Sequence, residues 1–125
     1  FSIYPSVIVS GSMYPAIKVG DMILIKRTDP AYISTGDIIQ FEMDKVRVVH
    51  RVIEIVEKDG KSFFITKGDN NKTIDSDPVL PEQIRGSVIK ILPKLGWASI
   101  AIRSPNAEIF KQTADEINAG GGSGE

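Results

Sequence analysis

Val46–Glu57 is a stretch of twelve residues in which seven are valine or isoleucine, and neither glycine nor proline interrupts it. β-Branched side chains lose χ1 freedom in a helix and pack well on a pleated surface, so this stretch demands a long strand. Such a strand is not stable alone; it needs partners along its edges and a core against at least one face. The two-residue period puts Val46, Val48, His50 and Val52 on one face and Arg47, Val49, Arg51, Ile53 and Ile55 on the other. His50 therefore shares an apolar face with three valines, and Arg51 points away from it.

The partners are shorter runs of the same character: Ser6–Val9, Asp21–Lys26, Asp37–Glu42, Ser62–Thr66 and Ile84–Ile91. Between them lie Gly20-Asp21, Asp29-Pro30, Gly36-Asp37, Asp59-Gly60 and Gly68-Asp69-Asn70-Asn71, all turn chemistry. Lys58-Asp59-Gly60-Lys61 reads as a hairpin turn, because Asp-Gly accepts positive φ. The expected class is mainly β, an antiparallel barrel or sandwich, with residues 1–103 as one domain. Leu95–Ile102, with Trp97, is expected as a core strand, the alternative being a segment resting on a membrane surface. Ser104–Asn118 reads as a C-terminal helix: Ser104 caps it, Pro105 suits the first turn, and Phe110, Ala114 and Ile117 form an apolar stripe. Residues 119–125 read as a Gly/Ser linker or tail.

The chain has 125 residues, enough for one compact domain. Fifteen Lys and Arg stand against sixteen Asp and Glu, a net charge of -1, which argues against a nucleic-acid surface. The absence of cysteine excludes disulfides, thiolate metal sites and a Cys nucleophile. No run approaches the roughly 20 apolar residues of a membrane span.

Three segments carry chemistry. Ser10-Gly11-Ser12-Met13-Tyr14-Pro15 places a serine just past a strand, where the chain turns sharply; by composition alone it is a Ser/Gly/Pro turn. Val49-His50-Arg51-Val52 holds the only histidine, which by itself suits a structural imidazole bonded to a carbonyl. Thr66-Lys67-Gly68-Asp69-Asn70-Asn71, with Asp75 and Asp77 beyond, is alone a polar loop; it lacks the terminal glutamate and alternating oxygens of an EF-hand calcium loop.

Taken in order, these segments resemble the boxes of the type I signal peptidase family, in its endoplasmic-reticulum and archaeal branch. Ser10–Pro15 resembles the nucleophile box and Gly36-Asp37-Ile38-Ile39-Gln40-Phe41 the structural box that follows. His50-Arg51-Val52 is similar to the base box of the branch that uses His where the larger bacterial branch uses Lys. Lys67–Asn71 with Asp75 is similar to the acidic box, and the likeness runs over roughly Tyr4 to Leu92.

The resemblance implies a signal-peptidase-like β core with Ser12 as nucleophile, His50 as general base, Asp75 as the acid that orients it and Asp69 as a second supporting acid. Asp77 competes with Asp75, whose offset from Asp69 favours it. The oxyanion would be held by the Ser12 N–H and the Ser10 hydroxyl. Substrate would pair as an extended strand with edges at Pro5, Val7 and Val9 and at Val46, Val48 and Val49. Met13 would lie beside this cleft or, equally, in the core. The partners implied are signal peptides with small residues at −3 and −1, membrane lipid through anchors expected just before Phe1, and accessory subunits. No nucleic acid, cofactor or metal is implied, and the catalytic domain would face the extracytoplasmic or lumenal side. Two rivals stand beside this: a self-cleaving repressor-type peptidase with Lys45 as base, and a non-catalytic β-barrel that binds peptides.

Overall fold

The computed structural model describes residues 2–102. Six strands occupy nearly half of them: β1 Ile3–Val7, β2 Met22–Lys26, β3 Ile38–Met43, β4 Val46–Lys58, β5 Lys61–Lys67 and β6 Ile84–Leu92. They form one antiparallel sheet in the order β1-β2-β6-β3-β4-β5, with β1 and β5 as its terminal strands. The expected mainly β, antiparallel class is what forms.

Two hairpins fix the register around β4. Asp59 and Gly60 both have positive φ, 53° and 76°, and close β4 on β5 as the sequence predicts. The β3–β4 turn uses the same geometry without glycine: Met43 pairs with Val46, and Asp44 and Lys45 take φ of 52° and 66°. Sequence reading overlooked it because lysine seldom occupies the left-handed region.

β3 is central and buried on both faces. Ile39 and Phe41 join Ile33, Val52, Phe64 and Val79 in one core cluster. Ile38, of opposite parity, packs on the other side against Ile8, Met13, Ile17, Ile23 and Ile25. Each fully buried side chain of this size contributes about 1.5–3 kcal/mol.

Three expectations are corrected. The first strand is Ile3–Val7 rather than Ser6–Val9, and it contains Pro5. The Ser2 carbonyl accepts from the Arg27 N–H, and Ile8 donates to the Asp21 carbonyl and accepts from the Gly20 N–H, so residues of even number face β2 and those of odd number turn their backbone groups outward. Pro5 falls on that outward row, where its missing N–H removes no bond. Second, Ile55 does not share a face with Arg51: Ile53 is the extra residue of a β-bulge between Val52 and Glu54, which resets the alternation and packs Ile55 against the Val52 cluster.

Third, Lys94–Ile102 is a helix, α1, not a strand. Pro93 opens it, its carbonyl accepting from the Gly96 and Trp97 N–H groups, and Asp21 Oδ1 accepts from the Lys94 N–H at 3.2 Å. Trp97 is buried and its indole N–H donates to the Gly20 carbonyl at 3.0 Å, which ties α1 to the segment after the Ser12 turn. Among the described residues no helix is long and apolar enough to cross a membrane. The expected helix Ser104–Asn118 and the tail 119–125 lie outside the described residues.

Candidate active site

Ser12 sits in a turn held from both sides. The Tyr14 N–H donates to the Gly11 carbonyl at 3.2 Å, and the Ile17 N–H to the Met13 carbonyl at 2.9 Å. Met13 and Ile17 are fully buried and anchor the turn in the second core cluster. Met13 thus takes the core role, and its sulfur accepts the Asp69 N–H at 3.4 Å. The Ser12 N–H donates to Ser10 Oγ at 3.2 Å, and the Ser10 hydroxyl lies 3.3 Å from Ser12 Oγ.

His50 lies opposite Ile39 in the β3–β4 register, with Phe41 edge-on to its ring at 6.2 Å between centroids. Its side chain is 11% exposed, and Nδ1 stands 2.6 Å from Asp75 Oδ2. Between the two candidate acids, Asp75 is the one that reaches the imidazole. The same Asp75 oxygen accepts the Thr66 hydroxyl at 2.7 Å, while the Asp75 N–H donates to the Thr66 carbonyl at 2.8 Å.

The loop after β5 joins the two halves. The Asn70 N–H donates to the Ser12 carbonyl at 2.8 Å, and its side-chain amide donates to the Gly11 carbonyl at 3.2 Å. Gly68 is buried where this loop meets the Ser12 turn.

Asp69 does not touch His50. It forms a two-pronged pair with Arg51, Nε to Oδ1 and Nη2 to Oδ2, both at 2.9 Å. The guanidinium's hydrogen bonds hold the Asp69 carboxyl below its ordinary pKa against the opposing effect of burial, and raise that of Arg51. A third guanidinium contact, Nη1 to the Gly36 carbonyl at 2.8 Å, ties the structural box to the same knot. Asp69 and Asp75 are thus each committed to a cationic or imidazole partner of the chain.

Among the expected substrate contacts, Pro5 is exposed and Val7 half-buried on terminal strand β1, and Val9 is exposed just past its end. Val46 is exposed; Val48 and Val49 are half-buried and pack on opposite clusters. β5 pairs with β4 only from Arg51 onward, so residues 46–50 lie beyond the end of β5. Lys45 is exposed at the tip of the β3–β4 hairpin, five residues or about 16 Å of strand from His50.

Sequence reading assigned no role to Thr66, Gly68 or Asn70, although all three stand in the quoted acidic segment. A buried threonine on the strand entering that loop was the available signal.

A family model described as Peptidase S24-like matches residues 4–89, which hold every residue of this arrangement. Signal peptidase I W of Bacillus subtilis is 41% identical over 80 residues, 62% of this chain and 42% of that protein. The signal peptidase complex catalytic subunit of Eremothecium gossypii is 36% identical over 107 residues, 77% of this chain and 64% of its own length. A human signal peptidase complex catalytic subunit is 45% identical over 74 residues, 55% of this chain and 38% of its own length. The chain belongs to the Peptidase S24-like family, in its signal peptidase branch of the endoplasmic-reticulum type. It spans about two fifths to two thirds of the length of these relatives. The family match takes in β1 to most of β6 and stops short of α1, so the shared part is the sheet and its loops.

Proposed function

We propose that this chain is the catalytic domain of a serine endopeptidase that removes N-terminal signal peptides, with Ser12 as nucleophile and His50 as general base. The observation that carries the reading is the bridge made by one loop: it puts Asp75 on the sole imidazole and Asn70 on the carbonyl of Ser12.

The Asp75 carboxylate only accepts hydrogen bonds, so the proton between it and His50 belongs to Nδ1. That tautomer leaves the Nε2 lone pair free. Ser12 Oγ attacks the scissile carbonyl carbon while its proton passes to Nε2, a transfer worth about 10²–10⁴-fold. Asp75 stabilises the imidazolium so formed. The intermediate's oxyanion accepts from the Ser12 N–H and the Ser10 hydroxyl, donors worth about 10²–10³ each. In the substrate-free arrangement these two groups bond to each other or to Ser12 Oγ, so the Ser10 hydroxyl rotates when substrate arrives. Collapse expels the amine, which takes the proton from Nε2; water activated by His50 then hydrolyses the acyl-enzyme.

Substrate enters as an extended strand between the outward edge of Pro5–Val9 and residues 46–49 of β4, both without a strand partner on that side among the described residues. The apolar side chains there line shallow pockets, which suit small residues at −3 and −1. Signal peptides are cut where they leave a bilayer, so the complete protein carries a membrane anchor, with residues 1–103 on the extracytoplasmic or lumenal face. The catalytic-subunit relatives favour accessory subunits. Lys45 as base is disfavoured by its place on an exposed hairpin tip.

The test is incubation of the chain with a signal-peptide substrate bearing alanine at −3 and −1, with the product mapped by mass spectrometry. Cleavage after the −1 alanine, abolished by Ser12→Ala, is expected. Binding without cleavage would favour the peptide-binding module.

A further inference from the structure

Asp75 is held at two points by a single residue. Its N–H donates to the Thr66 carbonyl at 2.8 Å, and its Oδ2 accepts the Thr66 hydroxyl at 2.7 Å. That oxygen is also the one that meets His50 Nδ1, at 2.6 Å. Thr66 is fully buried as the next-to-last residue of β5, opposite Val52 in the β4–β5 register and so two residues along β4 from His50. No substrate atom can reach it there.

From these contacts we infer that Thr66 is a positioning residue for the catalytic imidazole, acting through Asp75. The inference rests on the reading of His50 as base. An ionised carboxylate has no proton to give, so the Thr66 hydroxyl hydrogen must point at Oδ2. One lone pair of Oδ2 is then used by Thr66 and the other by the Nδ1 proton. The second donor stops the carboxylate from rotating about its terminal torsion, which is otherwise soft. β-Branching restricts the threonine to few rotamers, so its hydroxyl is aimed before substrate binds. Asp75 belongs to a loop outside the sheet, and the Thr66 contacts fasten it directly to the strand that pairs with the base strand. Of the charged groups near His50, Asp75 bonds its ring, and Asp69, paired with Arg51, is close enough to feel its charge.

Thr66→Val keeps the shape and the branching and removes only the hydroxyl; Thr66→Ser keeps the hydroxyl and removes the branching. Thr66→Ala serves as a second hydroxyl-less variant should valine disturb the fold. The chain has one histidine, so its imidazole nitrogens give an unambiguous 15N–1H spectrum without any turnover. In the full chain, the parent and Thr66→Ser are expected to show the Nδ1–H tautomer with a downfield-shifted, slowly exchanging proton. Thr66→Val or Thr66→Ala should show mixed tautomers, loss of that proton, and a kcat lower by about tenfold at a KM changed less than about twofold. A folded hydroxyl-less variant with the parent spectrum and the parent kcat would overturn the inference. A parent chain that cleaves no signal peptide sinks the peptidase reading instead, and the imidazole spectrum still decides for or against Thr66.

Discussion

A β-carbon on Gly68 would stand 2.8 Å from the carbonyl oxygen of Ser12 and 2.7 Å from the side-chain nitrogen of Asn71. The amide can swing aside, but the oxygen belongs to backbone that Asn70 already holds at 2.8 Å. Gly68→Ala therefore pushes the Ser12 turn and the acid-bearing loop apart. Overpacking of this sort costs about 1–3 kcal/mol. Thermal melts should show that loss, and kcat/KM should fall by about 10²-fold or more, because a displacement near 1 Å is enough to misplace a nucleophile. Unchanged cleavage in Gly68→Ala would mean that the closeness of the two segments does not matter.

Asn70 bonds the Gly11 carbonyl, and that carbonyl shares a planar peptide group with the Ser12 N–H. Gripping the oxygen from behind aims the N–H in the opposite direction, toward the expected oxyanion. Asn70→Ala should lower kcat by about tenfold and leave KM nearly unchanged, since the oxyanion exists only in the transition state. An effect confined to KM would place Asn70 in substrate binding instead.

The Arg51–Asp69 pair makes a pH prediction. The carboxyl of Asp69 is held below its ordinary value chiefly by the Arg51 hydrogen bonds. Its contribution is complete above the unfolded carboxylate pKa of about 4 and disappears as pH falls through the lower folded value. The side chains are 32% and 22% exposed, so solvent screening trims the contribution to about 1 kcal/mol. Melting temperatures measured against pH should show Asp69→Asn less stable than the parent at neutral pH, with the gap closing in acid. A gap that stays constant down to strongly acid pH would contradict the assignment.

The length of β4 made the sheet legible in the sequence, and Asp-Gly made one hairpin so. The other hairpin escaped because Asp44-Lys45 adopts glycine-like dihedrals for reasons of register, Met43 being fixed opposite Val46. Leu95–Ile102 escaped because its apolar pattern suits strand and helix alike; what decides is tertiary, namely Trp97 on the Gly20 carbonyl and Asp21 at the first turn. The bulge at Ile53 is likewise silent in a strand that carries valine or isoleucine on both faces. At the candidate site, the residue types were readable in order along the chain and the resemblance paired Asp75 with His50, but the Asp69–Arg51 pair was not legible, because it depends on how one loop folds back beside β4.

The central claim is that Ser12 loses its proton to His50. A serine-directed covalent probe, with labelling of Ser12 timed by mass spectrometry in the parent, His50→Ala and Lys45→Ala chains, measures that step without a substrate. The account predicts rapid labelling of the parent and of Lys45→Ala, and a rate lower by about 10²-fold or more in His50→Ala. Labelling lost in Lys45→Ala and kept in His50→Ala would contradict it.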